Sequence, residues 1–153
     1  MDTAFQNAGL KQQQAFHQNA GVAEQELHRN VQLTQQVLKY TYGLVPIVAG
    51  ADKFFNLLVN WKDYIKGPVF NLLPVSQATF MSVVGIIEIA AGILVLFKPK
   101  IGAWVVMAWL VLIALSLIAG GHYFDVAVRD LVMAVGAFAL AKLSAVSAKA
   151  IHQ

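Results

Sequence analysis

The sequence predicts an all-α protein, an integral membrane four-helix bundle preceded by an N-terminal amphipathic helical arm. Three observations carry this expectation. Hydrophobic residues make up 58% of the 153 and charged residues only 12%, about half the charged share usual in a soluble domain. Four apolar stretches, at about 39–60, 78–97, 101–119 and 125–143, are each long enough to cross a bilayer core. Residues 1–38, in contrast, are polar and rich in Gln, with no Pro and few strand formers, a composition that favours helix.

Composition also excludes several classes of function. The length fits one domain, here a 1–38 arm followed by a 39–153 transmembrane domain. The net charge is only +3 and the basic residues form no run, so no nucleic-acid partner is expected. The chain has no Cys, which removes disulfides, thiolate metal sites and CxxC redox chemistry. The polar N-terminus has no short apolar core of the signal-peptide kind, so the first span is expected to direct insertion itself.

The arm carries a thin apolar stripe at Phe5, Gly9, Phe16, Ala20, Leu27, Val31 and Leu38. Steps of four and seven sum to an eleven-residue repeat, close to three helical turns, so the stripe keeps to one face. It is too narrow to hold a helix alone in water. Phe5, Phe16, Leu27 and Val31 are therefore candidate docking residues, for the membrane surface, another subunit or a second copy of the chain. A partly disordered tail is the other reading, and Gly9 and Gly21 favour it.

In the first span, Tyr40, Tyr42 and Trp61 lie at the ends, where amphipathic rings prefer the headgroup level. Pro46 is expected to bend the helix or loosen its hydrogen bonding. Gly43, Pro46, Gly50 and Lys53 share one face, which invites close approach of a second helix. Residues 61–77 read as a loop with an apolar middle, broken by Gly67-Pro68 and Pro74. It suits an interfacial segment that caps the bundle or covers a cavity. In the second span Gly85, Glu88 and Gly92 lie on one face, and Lys98-Pro99-Lys100 follows as a tight turn. The third span, 101–119, has no ionisable residue and is apolar all round, as suits passive packing and lipid contact. Asp125 opens the fourth span as a candidate cap, with Arg129 and Asp130 one turn further on.

A charge near the centre of a membrane helix costs roughly 2.5–3.5 kcal/mol on insertion scales, so each of these charges needs a partner or a purpose. Asp52, Lys53, Glu88, Arg129 and Asp130 form the candidate buried polar cluster, with His122 and Tyr123 at its mouth. Lys11, Arg29, Lys39, Lys98, Lys100, Lys142 and Lys149 fall on the side of the termini, against Lys62 and Lys66 opposite, with Arg129 at the membrane edge there. That bias puts both termini in the cytoplasm.

At these residues the chain resembles the DoxX-like family of small bacterial membrane proteins. The likeness lies in Gly50-Ala51-Asp52-Lys53-Phe54, in Gly85-Ile86-Ile87-Glu88-Ile89-Ala90-Ala91-Gly92, and more loosely in Val128-Arg129-Asp130-Leu131. It covers about 40–143 and leaves out the arm. The resemblance implies a four-helix bundle in the bacterial cytoplasmic (inner) membrane. Some relatives are small subunits of thiosulfate:quinone oxidoreductase and others are linked to redox enzymes. The first expectation is thus a non-catalytic accessory subunit of a larger redox or energy-conversion membrane complex. The alternative is a membrane component of a quinone- or sulfur-compound-linked oxidoreductase.

The same residues support more than one role. Lys53 and Glu88 suit a proton-handling or substrate-binding pair, or an ion pair that fixes helix register. Arg129 suits an anion or a quinone carbonyl, or the neutralisation of Asp125 or Asp130. His17 and His28 share a helix face but stand about three turns apart, too far for one metal. No axial-ligand pair lies within the spans. No metal and no cofactor are expected, and the partners are the lipid bilayer, other membrane subunits or the chain itself, with a quinone as the candidate small molecule.

Overall fold

The computed structural model describes residues 2–58, 61, 76–121 and 123–150, with side chains from Leu10 to Ser147. Four helices occur among the described residues: α1 Asp2–Phe55, α2 Gln77–Phe97, α3 Pro99–Ala119 and α4 Phe124–Ala150. No strand occurs among the described residues, so the fold is all-α. The chain divides into two compact units, Met1–Thr34 and Gln35–Gln153.

The first unit is the arm, helical from Asp2 through both glycines. Leu10, Phe16, Val22, Leu27 and Leu33 are all exposed on it. Val31 is half-buried, and the side chain of Phe5 is outside the described set.

The second unit begins four residues earlier than the 1–38 boundary read from the sequence, because Gln35 already belongs to the bundle. Its amide donates to Ser144 Oγ at 3.2 Å and accepts from Ser147 Oγ at 2.6 Å. The same clamp explains why α4 continues to Ala150 where the apolar pattern stops near 143. At its other end the helical run through 39–60 is cut short. The Asp52 carboxylate accepts the backbone N–H groups of Leu57 and Leu58, both at 2.9 Å, and Asn56 takes a left-handed conformation, φ 52°. Asn tolerates that region better than most residues, so α1 ends at Phe55.

Two pairs of glycines set how α1 and α2 meet. A β-carbon on Gly50 would lie 2.5 Å from the Gly85 carbonyl oxygen, and one on Gly85 would lie 2.7 Å from that of Gly50. Gly43 and Gly92 face each other in the same way. With seven residues between pairs on both helices, the two run antiparallel in near backbone contact, as the shared glycine faces suggest. One residue, Lys98, joins α2 to α3, with Pro99 at the first position of the new helix, where its missing N–H is not needed. The segment 61–77 read as a loop lies, apart from Trp61, Ser76 and Gln77, outside the described residues. Ser76 caps α2 by accepting from Thr79 N–H at 3.1 Å.

Small residues fill the interior. Ala91, Val95, Ala103, Val106, Ala137, Leu140 and Ala141 form the core, with Tyr42 and Leu110 packed on it. On α4 the buried positions Ala127, Asp130, Ala134, Ala137, Ala141 and Ser144 alternate in steps of three and four, one continuous helix face. Large apolar side chains face outward, among them Val128, Val132 and Val135 on α4 and Leu44, Val45 and Val48 on α1.

α2 and α3 are long and apolar enough to cross a membrane, each with a mean hydropathy of 2.5. Four such helices were expected. Among the described residues only α2 and α3 meet that measure; α1 carries Asp52 and Lys53, and α4 carries Asp125, Arg129 and Asp130 in its first turns.

Gly50→Ala or Gly92→Ala should destabilise the bundle by about 1–3 kcal/mol, because the added methyl meets backbone that has no rotamer to change. Gly21→Ala meets open space and should stabilise the arm by about 0.5–1 kcal/mol. Unfolding curves of the three variants check both signs.

Candidate functional site

The site grows from the glycine contact. Lys53 lies three residues beyond Gly50 and Glu88 three beyond Gly85, so each projects from the face that the glycines bring together. Lys53 Nζ meets Glu88 Oε2 at 2.6 Å, with the two side chains only 4% and 11% exposed. Burial this deep costs several kcal/mol per ion, and only short, well-made contacts offset it.

Trp61 covers the other side of the ammonium. Its ring centroid stands 3.7 Å from Lys53 Nζ, a cation–π contact. Its indole N–H donates to Asp52 Oδ2 at 2.7 Å. Asp52 is buried with both oxygens engaged: one holds the turn after α1 and the other holds Trp61. A cavity of ≈ 210 Å³ opens beside this group, lined by Lys53, Phe54, Asn56, Trp61, Ala78, Met81 and Ser82.

From α4, Asp130 is buried, 7% exposed, within electrostatic range of both Glu88 and Lys53. Among the described residues it makes no hydrogen bond or ion pair. From α3, the Trp109 indole N–H is buried beside Glu88 without an acceptor in hydrogen-bond reach among the described residues.

Four of the five cluster residues are thus buried in this unit, and Arg129 corrects the expectation for the fifth. Its side chain is 74% exposed and pairs with Asp125 one turn earlier, at 3.6 Å. Successive residues of a helix point about 100° apart, so Asp130 on the inner face sends Arg129 outward. Asp125 stands in the first turn of α4 and is spent on that surface pair, which complements the helix dipole. Tyr123 precedes α4 in a left-handed conformation, φ 58°, and its carbonyl accepts the Ala127 N–H at 3.0 Å. His122 lies outside the described residues. No group of three or more His, Asp or Glu that would hold a metal occurs among those described.

Two aromatic residues read as interfacial have other work. Trp61 is a wall of the site, and Tyr42 donates its hydroxyl to the Met133 carbonyl at 2.7 Å, with Gly136 leaving room for the ring. An aromatic residue a few positions past a charged helix end was the available signal for Trp61.

No protein family, curated protein or solved structure matches the chain in comparison searches.

Lys53→Met strands the buried carboxylates and should cost about 3–5 kcal/mol of stability, most of it recovered in Lys53→Met/Glu88→Gln. Arg129→Ala should leave stability unchanged. A double-mutant cycle measured by unfolding checks all three.

Proposed function

We propose that the chain is a multi-pass membrane protein of the DoxX-like type and serves as a non-catalytic accessory subunit of a larger redox or energy-conversion complex. The observation that carries this reading is the inversion of side-chain size across the second unit. Alanine and glycine hold most of its buried apolar positions, beside Val95, Val106 and Leu140, while large apolar residues on all four helices face outward. Water-soluble bundles bury their large residues, whereas helices in lipid associate through small ones and lose nothing by leaving Val, Leu and Ile outside. α1 from Gln35 and α4 share this distribution, so their charges, gathered inward or at an end, do not bar them from spanning.

The subunit role follows from the arm. A helix whose apolar residues Leu10, Phe16, Val22, Leu27 and Leu33 are all exposed needs a surface beyond itself. Four spans put both termini on one side. The excess of Lys and Arg there makes that side cytoplasmic, and the DoxX-like resemblance implies the bacterial inner membrane.

The oxidoreductase alternative rests on a Lys/Glu/Arg cavity, and Arg129 is turned to the outer surface. The ≈ 210 Å³ cavity is also smaller than the roughly 300 Å³ at which small-molecule sites begin. The accessory role stands ahead of it.

Extraction from native membranes in mild detergent, followed by mass spectrometry, tests the proposal. The expected result is recovery in fixed stoichiometry with larger subunits, lost when residues 1–34 are removed. Release into the soluble fraction by an alkaline wash would overturn the membrane reading. Recovery of the chain alone would overturn the subunit reading.

A further inference from the structure

Glu88 has the Lys53 ammonium in direct contact and the Trp109 indole N–H beside it. Asp130, a second carboxyl in the same interior, has neither. Lys53 supplies one positive charge against two acids, and the described cluster holds no other cation. Asp52 is a third acid, but its charge is stabilised by the N–H groups of Leu57, Leu58 and Trp61, and it brings no cation to Asp130. An unpaired ionised carboxylate in an apolar interior costs far more than a neutral acid.

We propose that Lys53, Glu88 and Asp130 form a buried site for one exchangeable proton, carried by the Asp130 carboxyl. This goes beyond an accessory role and does not depend on it. Uptake joins a proton from water to one Asp130 oxygen, and release returns it; no bond other than that O–H changes. The ammonium and the indole N–H both favour negative charge on Glu88, so the proton belongs on Asp130. Among the described residues, the charged groups within electrostatic range of Asp130 are Lys53 from α1 and Glu88 from α2. α3 brings only the neutral Trp109, its one ionisable residue being the exposed Lys100 at its start. On α4 itself, Asp125 and Arg129 are exposed and paired with each other. The cavity reaches the cluster at Lys53. An indole N–H beside Glu88 and the lack of a metal-binding group among the described residues suit a proton better than an alkali cation.

Infrared difference spectroscopy of the full chain at neutral pH tests this through the carbonyl stretch of a protonated carboxylic acid. The wild type should show one such band, sensitive to deuterium exchange and shifted by carbon-13 labelling of aspartate, an assignment that needs no variant. Asp130→Asn should abolish the band and Asp125→Asn should retain it. Glu88→Gln should abolish it too, because Asp130 then becomes the counter-ion of Lys53. No acid band in the wild type, a band that survives Asp130→Asn or Glu88→Gln, or a band that sodium removes would each overturn the proposal.

Discussion

The buried contact between Lys53 and Glu88 is the constraint on which the rest of the bundle depends. Two ions taken out of water are tolerable only at short range with their remaining bonding capacity satisfied. Around the 2.6 Å contact, α1 and α2 come nearly backbone to backbone. Gly50 opposite Gly85 and Gly43 opposite Gly92 allow this, since a methyl group at Gly50, Gly85 or Gly92 would strike main-chain atoms and one at Gly43 the Leu96 side chain. Trp61 then closes the open side of the ammonium, and it is held there by Asp52, which also ends α1. A helix pairing, a helix end and the anchoring of the following segment thus follow from one buried charge.

A second polar tether, Gln35 with Ser144 and Ser147, stands 18 residues before Lys53 on α1. At 1.5 Å rise per residue that is roughly 27 Å, close to the ≈ 30 Å of a bilayer's hydrocarbon core. Between the two tethers the packing is small against small, with Ala91, Ala103, Ala137 and Ala141 in the interior. The arrangement gains affinity between helices from close backbone approach and leaves the larger apolar surface for an apolar surrounding. This is the physical content of the membrane reading, and it explains how the charge-bearing α1, from Gln35, and α4 share the design of α2 and α3.

The helix pairing was legible in the sequence, because glycine and charge recurred on common faces: Gly43, Gly50 and Lys53 on one helix, Gly85, Glu88 and Gly92 on the next. Periodicity reports which face a residue occupies, and those faces were regular. The arm's helical form was legible from its composition, although its regularity through Gly9 and Gly21 was not. Features set by single tertiary bonds escaped. Asp52 reads as a member of the charge cluster until its bonds to Leu57, Leu58 and Trp61 are seen. The extension of α4 to Ala150 depends on a glutamine more than a hundred residues away. Arg129 and Asp130 read as one feature because they are neighbours in the chain, yet a 100° step separates their fates.

That step isolates a physical contrast. Asp125 and Asp130 are the same chemical group little more than one turn apart on α4. Asp125 is exposed, solvated and paired with Arg129, so it needs nothing further. Asp130 shares a face with Ala127, Ala134 and Ala137 and lies beside an ion pair that is already neutral. In a bundle whose other buried polar side chains have partners, apart from the Trp109 indole N–H beside the same cluster, an aspartate at an alanine position works against stability. An alanine there would continue the packing stripe without a desolvated acid. Local rules broken without a compensating contact are where function is expected to outweigh packing. For a carboxyl this buried the favoured states are to hold a proton or to gain a positive charge, and the single ammonium nearby is already committed to Glu88.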